Sequence, residues 1–572
     1  MSTLTVATLL LLVMIWPLLL AAAVAIGATR PVALRLVPWA ALPALVAAIT
    51  LADSGLRLPD TLLASALVLD SLGRVFLLLN AILWLAAGLL LRGRLRNDGA
   101  GRFAVLQLLA MTGSLGLALA GDALLFFTAA TLAGYALYGL LVSDAPAGTQ
   151  KAGRVLVVLL VVSDLLVFEL LLLLGQAAGS VDFPSLRQAL LIADNKGVLL
   201  VLLIAGFGIK AGLAGAHFWL APVFLNAVTG VRPALIAFMF AAGLLGWLRL
   251  VPLGELHWSA AGSVLQGLAW VTLGYAVIAG LLQAHSRTVL ACAAVALSGF
   301  WVATLAAALR HPLAWQGMFE TLPAAVLQSG LSLCVLMLFH RRAHGGIRMQ
   351  WQNVYQALQW LAALSLACTP VAVAGSLMQV DTAAALQMLW AIPAITLLAV
   401  RGRLLGGSGS QGAHAASTLA QVMPQTSQAS AAMTLLMTVV LTAGALLAAG
   451  YNLAGLSLAE FRRPALMLSA ASIVAWLSTS RFMPYLPVLP PGDLLVPISS
   501  VLHAGLGYGQ RLSGVYLPHW RAGWLAALRH AWSGVNWCGM CEWMEIRLNS
   551  WRIVLVLLLL LGLLLAVWGG LG

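Results

Sequence analysis

Charge is what this chain has least of. Of its 572 residues only 8% are Asp, Glu, Lys or Arg, where a soluble protein of ordinary composition carries about a quarter. That scarcity excludes a soluble globular enzyme of this length, whose surface needs far more charge. Lysine is scarcest: the chain has Lys151, Lys196 and Lys210 and no other. Cysteine is also sparse, at five. Cys292, Cys334 and Cys368 fall in apolar segments as small core residues, and Cys538-Gly-Met-Cys541 is a lone pair, too little for a metal or redox site. There is no phosphate loop, no metal-ligand cluster and no nucleophile beside a base. The sequence therefore indicates no bound cofactor and no catalytic centre of its own. His340-Arg-Arg-Ala-His344 lies in a basic connection and reads as a topology signal rather than a ligand set. The net charge of +13 comes from arginines and lysines in short connections, where orientation signals belong, and does not point to nucleic acid.

What is present is hydrophobic sequence, 62% of the chain. Runs of about 20 apolar residues recur along it, each long enough to cross a bilayer as a helix. The fold class expected is therefore an all-α polytopic membrane protein. Sixteen spans are expected, at 4–26, 32–51, 72–92, 103–120, 122–143, 154–175, 197–217, 233–253, 265–284, 288–308, 319–340, 355–378, 383–400, 431–450, 464–480 and 552–570. The first could pass for a signal peptide. It is too long for a typical h-region, however, and has no basic n-region, so it reads as a span.

Arg92, Arg94, Arg96 and Arg102 follow span 3 and mark that connection as cytoplasmic. Alternating from there, the connections holding Lys151 and Arg154, Arg232, Arg287, Arg341 with Arg342 and Arg348, and Arg401 with Arg403 fall inside. Those holding Asp53 and Asp60, Asp182 and Asp194, Glu255, Asp381 and Glu460 fall outside. Both termini are then outside the inner (cytoplasmic) membrane. Residues 404–430, rich in Ser, Gly, Gln and Ala, read as a cytoplasmic loop. Residues 481–551 mix Arg511, His519, Arg521, Arg529 and His530 with Leu, Trp and Tyr, which suits an amphipathic helix in the cytoplasmic interface; the alternative is a solvated loop with anchoring tryptophans.

Lys210 stands in the middle of the apolar run Val198–Gly215. An ammonium at bilayer depth costs roughly 2.5–3.5 kcal/mol on insertion scales, so it needs a partner, water or a task. The other ionisable groups near membrane depth are Asp164 and Glu169 in span 6, His217 after Lys210, Asp122 opening span 5 and Arg232 before span 8. A carboxylate and a lysine on adjacent buried helices can share a proton and shift each other's titration. Groups of this kind linked by water form the proton relay expected here. Each residue also has a plainer role. Asp122 can simply cap span 5. Asp164 and Glu169 are about 140° apart around a helix, so both cannot face one lysine, and one can face a neighbouring subunit. His217 can be a helix-end hydrogen-bonder, Arg232 an orientation charge, and Lys210 a lysine satisfied by backbone carbonyls. Helix breaks are expected just after Lys210 and, five spans later, at Pro370.

The segment Gly206-Phe-Gly-Ile-Lys-Ala-Gly-Leu-Ala-Gly-Ala-His-Phe-Trp-Leu, with Gly243-Leu-Leu-Gly-Trp-Leu-Arg further on, resembles the antiporter-like proton-translocating subunits of the complex I superfamily. Among these it is most similar to the membrane subunits of group 4 hydrogenases and formate hydrogenlyase. Asp70-Ser-Leu-Gly-Arg-Val-Phe, Phe126-Phe127 with Tyr138, and Ser286-Arg-Thr-Val-Leu-Ala agree with it. The resemblance implies two inverted five-helix repeats, each with a broken helix. The domains expected are 1–102 (spans 1–3), 103–253 (first repeat, spans 4–8), 265–400 (second repeat, spans 9–13), 401–480, the interfacial segment 481–551 and the last span in 552–572. It also implies movement of protons, or of Na⁺ against protons. The partners implied are the lipid bilayer and other membrane and peripheral subunits of a complex, of NADH-quinone oxidoreductase or hydrogenase type.

Four family charges are missing. The span 5 glutamate falls at Ala130-Thr131, the span 8 polar residue near Ala237, the span 11 lysine near Gln328-Ser329 and the span 12 charge near Met378-Gln379. Two alternatives to conduction follow: a scaffold that has lost the proton path, and the membrane subunit of an inorganic carbon uptake complex.

Overall fold

The fold follows from the pattern of long apolar runs. In the computed structural model, residues 3–57, 65–96, 100–143, 147–338, 349–378, 382–407, 428–453 and parts of 467–474 are described. Span 16, the segment 481–551, Cys538 and Cys541, most of span 15 and of the 404–430 loop, and His340 to His344 lie outside them. Among the described residues, twelve helices are long and apolar enough to cross a membrane, and the protein is a multi-pass α-helical membrane protein. They run from Leu4–Ala25 and Arg30–Thr50 through Ser71–Leu91 (span 3), Ala100–Leu119 (span 4), Ala123–Val142 (span 5) and Thr229–Leu250 (span 8) to Ser286–Arg310 (span 10) and Gln387–Leu405 (span 13). Span 6 is the helix Ala147–Ala178 and span 14 lies within Gln428–Leu453.

Two expectations shift. Span 6 starts before its expected boundary: the helix is 32 residues long, about 48 Å at helical rise, against a hydrocarbon core of about 30 Å. The apolar run gives only the part suited to lipid, while the polar residues Gln150 and Lys151 extend the same helix before it. In span 12 the helix Met349–Met378 passes through Pro370 without ending there. A proline removes one helical hydrogen bond, a loss that a buried span can absorb through its neighbours.

The connections between spans 2 and 3, 4 and 5, and 6 and 7 meet on one face. A hairpin of β1 (Ser54–Arg57) and β2 (Ala66–Leu69) lies between spans 2 and 3. Leu67 pairs with Ala120, and Asp122 with Asp182. The alternation of spans requires this grouping. On the opposite face arginines cap helix ends. Arg401 donates to the carbonyls of Gly280 and Leu281 at the end of span 9 (Ser259–Leu281), and Arg94 to Ser143. A guanidinium at a helix C-terminus satisfies orphan carbonyls and meets the negative end of the dipole. The arginines expected to mark orientation therefore also serve as caps.

Asp70 and Arg249, 179 residues apart, join the start of span 3 to the end of span 8. Arg249 Nη2 donates to Asp70 Oδ1 at 2.8 Å, and Nη1 donates to Oδ2. Asp70 also N-caps span 3, accepting from Gly73 N at 2.7 Å. Burial pushes this carboxyl up, but the Arg249 charge and the hydrogen bonds from Arg249 and Gly73 outweigh it and hold the group below its ordinary value. A folded-state value below the unfolded one means that the stability it contributes is present above about pH 4 and is lost as pH falls through the folded value. In detergent, the difference in thermal stability between wild type and Asp70→Asn should accordingly be constant from pH 7 to 5 and shrink below about pH 4. A difference that ignores acid would show that the charge of Asp70 contributes nothing.

Candidate functional site: a buried lysine–aspartate pair at a helix break

Span 7 starts as the helix Lys196–Ala211 and ends one residue after Lys210. Gly212 takes φ +78°, a left-handed conformation that a side chain disfavours. Leu213 N then donates back to Gly208 O at 2.8 Å, and Gly212 N to Ile209 O at 3.3 Å, which closes the helix. The chain resumes as the short helix Leu220–Asn226. Carbonyls near the break find side-chain donors. The Trp219 indole donates to Ile209 O at 2.7 Å, and Ser298 of span 10 donates its hydroxyl to Ala211 O. A break at this depth is tolerated because its backbone is satisfied inside protein.

Two glycines let the neighbours close in. A Cβ on Gly206 would lie 2.8 Å from Val167 Cγ2, so span 7 packs tightly on span 6. A Cβ on Gly243 would lie 2.6 Å from Ala211 N, so span 8 presses on the backbone at the break. Gly243 sits in a π-type turn, Met239–Leu244, an irregularity often found at functional sites.

The approach of span 6 creates the site. Lys210, 1% exposed, extends Nζ to Asp164 Oδ1 at 2.7 Å and donates also to Ser163 Oγ. The Ser163 hydroxyl donates in turn to Gly206 O at 2.7 Å. Tyr135 of span 5 places its hydroxyl near enough to Asp164 to interact with it electrostatically. The lysine is thus held by side chains of span 6 rather than by backbone carbonyls. Sequence reasoning missed Ser163 and Tyr135. The first is adjacent to Asp164 and could have been noted; the second is brought in only by the packing of span 5. An ammonium and a carboxylate in hydrogen-bond contact, shielded from solvent, can hold or release a proton between adjacent spans.

The other candidates lie elsewhere. Glu169 is on the exposed side of span 6. Asp122 caps span 5, accepting from Leu125 N at 2.7 Å and from Ala66 N at 2.9 Å, so it ties the hairpin to the helix start. His217 is buried after the break, its Nε2 2.9 Å from the Tyr275 hydroxyl of span 9. Arg232 is buried among carbonyls: it donates to Ala227 O and, at 2.7 Å, to Met337 O. Arg287 reaches Leu225 O at 3.0 Å. Both arginines therefore secure the end of the second half of span 7.

The positions of the missing charges hold neutral groups. Thr131 bonds its own helix, Ala237 is fully buried, and Gln328 donates to Ser365 O at 2.6 Å. Ser332 reaches Ser365 Oγ at 3.0 Å. Met378 ends its described helix, and Gln379 lies outside the described residues. Among the described residues of 265–400, no Asp, Glu or Lys is buried, and no group of His, Cys, Asp and Glu is arranged to hold a metal.

A broken apolar helix, a buried lysine at the break and a carboxylate on the adjacent span define a class: multi-pass membrane proteins with a buried ion pair beside an interrupted helix. The comparisons identify the family within that class. Residues 120–406, half of the chain, match the family described as NADH:quinone oxidoreductase/Mrp antiporter, transmembrane, and the chain belongs to it. It is 32% identical over 281 residues to NADH-quinone oxidoreductase subunit N of Deinococcus radiodurans, covering 47% of this chain and 53% of that one. It is 27% identical to F(420)H(2) dehydrogenase subunit N of Methanosarcina mazei, covering 48% and 57%. The matched region spans about half the length of these relatives. Two solved structures share the fold. One is the Mrp complex of Dietzia sp., with a TM-score of 0.65 at 16% identity, covering 92% of this chain and 62% of that one. The other is a membrane-bound sulfane sulfur reductase, an archaeal respiratory membrane complex, with a TM-score of 0.59 at 15% identity, covering 97% and 99%.

Proposed function

We propose that the chain is a proton-translocating, antiporter-like subunit of a multi-subunit membrane complex, with Lys210 as the central relay and Asp164 as its modulating carboxylate. The observation that carries this reading is the 2.7 Å contact between Lys210 and Asp164, buried beside the break in span 7. A lone ammonium here would be a standing cost. Paired with a carboxylate, it becomes a group whose proton affinity changes when the pair is pulled apart. The first repeat, 103–253, conducts; the second, 265–400, keeps the architecture with neutral amides and hydroxyls. Driving force comes from a partner module. Both termini face away from the cytoplasm, and the membrane is the inner one.

The second reading is a non-conducting scaffold, favoured by Gln328 and Ser365 bonding each other where the family has a charge. Proton flux separates the two. With the complex in proteoliposomes under an imposed pH gradient, Lys210→Ala and Asp164→Asn should each lower flux roughly 100-fold, the scale of a positioned proton donor. Unchanged flux in both, with the subunit present in normal amount, would remove the conduction reading and leave the scaffold.

A further inference from the structure

Glu169 has no place in the pair just described. It lies five residues beyond Asp164, about 140° around the same helix, and is exposed. It makes no hydrogen bond or ion pair among the described residues. It is also deep. It stands 15 residues from Arg154, about 22 Å along the helix axis, inside a core of about 30 Å. In the other direction Leu170–Leu174 and Gly175 separate it from Gln176, roughly another 10 Å of apolar helix. A glutamate side chain is too short to reach either interface from there.

Its surroundings on that face are wholly apolar. Leu165, Phe168 and Leu172 of span 6 are 64%, 47% and 51% exposed, and Val201 of the adjoining span 7 is 66% exposed. Hydrocarbon satisfies these side chains but not a carboxylate, and ionisable groups in spans face protein or water rather than lipid. The face therefore has the composition of an interface: an apolar helix surface with one charge set within it.

We infer that this face of span 6 docks a membrane-spanning helix of a different subunit, one that presents a lysine or arginine to Glu169. The charge sets the chemistry of the partner. A second copy of this chain does not supply it. Among the described residues, its cations at membrane depth, Lys210 and Arg232, are buried and already bonded within the protomer. Both fold neighbours are complexes in which such a subunit would sit.

The test uses the intact complex in its own membrane. A photo-crosslinking amino acid at position 165 is irradiated in whole membranes, and the adduct is mapped by mass spectrometry. The expected adduct is on a membrane helix of another subunit, within a turn or so of a lysine or arginine. In parallel, Glu169→Leu, which lipid tolerates, should leave the thermal stability of the chain in detergent unchanged. It should still lower its recovery with the complex at least threefold, the scale of one interhelical polar contact. Exchanging the charges, Glu169→Lys with the partner's cation made glutamate, should restore recovery. Adducts confined to lipid, to a second copy or to residues 481–551 of the same chain would overturn the proposal. So would Glu169→Leu recovered at the wild-type level. Neither result bears on Lys210, whose test reads flux.

Discussion

Replacing Lys210 by alanine should destabilise the folded protein by about 3–5 kcal/mol, because the change leaves a buried carboxylate without its counter-charge. Asp164 is 9% exposed and gains little from solvent once the ammonium is gone. The nearby Tyr135 hydroxyl is neutral and cannot replace that counter-charge. Replacing both charges together, Lys210→Met with Asp164→Leu, should behave differently. Two apolar side chains of similar volume remove the desolvation penalty with the attraction, and such exchanges are often neutral or stabilising. The double variant should therefore unfold near the wild-type temperature in detergent and still fail to conduct. That outcome separates the two roles of the pair, since stability returns while the relay does not. A double variant as unstable as the single one would mean that Lys210 is held by something other than Asp164. A double variant that conducts would end the case for the relay.

The second large effect concerns a residue with no side chain. Gly243→Ala should cost about 1–3 kcal/mol, the usual range for an extra methyl group in a packed core. The new Cβ would lie 2.6 Å from Ala211 N and 2.7 Å from Ala211 Cα. These are backbone atoms, so no side chain can swing aside, and spans 7 and 8 must separate at the break that follows Lys210. Flux should fall with stability, because the same displacement moves the lysine relative to span 6. Gly267→Ala and Gly274→Ala on span 9 are the controls. A Cβ at either position meets nothing within 4 Å, and alanine favours a helix over glycine by roughly 1 kcal/mol. Thermal unfolding of the three variants should place Gly243→Ala below wild type and the other two at or above it. The reverse order would mean that the contact of Gly243 with Ala211 does not limit the packing.

The contrast between Asp164 and Glu169 shows why the sequence stops where it does. Both carboxylates are visible in one apolar run, and helical geometry says they point apart. In a soluble helix the hydrophobic stripe would say which of them faces inward. Span 6 is apolar all round, as a helix immersed in lipid can be, so its sequence carries no such stripe. Only the packing of Gly206 against Val167 fixes the rotation of span 6 that presents Ser163 and Asp164 to Lys210. The same reasoning covers Tyr135, which is unremarkable in sequence until span 5 brings it to Asp164. Asp70 and Arg249 belonged to two separate motif fragments, and nothing local joins residues 179 positions apart. At Pro370 the local rule gave an interruption that the buried helix does not make.

What the sequence determined by itself are the properties that depend on local composition. Runs of apolar residues set the helical, multi-pass class and the place of most described spans, because lipid demands internally bonded helices. Glycines around a single lysine marked the break, because only that backbone can turn there. Arginines in the connections marked one face, where they also cap helix ends. The tertiary structure decided which carboxylate serves Lys210, which only caps a helix, and which is left facing outward. Those choices are made by helix rotation and close approach, and a chain that is apolar on every side does not write them in its periodicity.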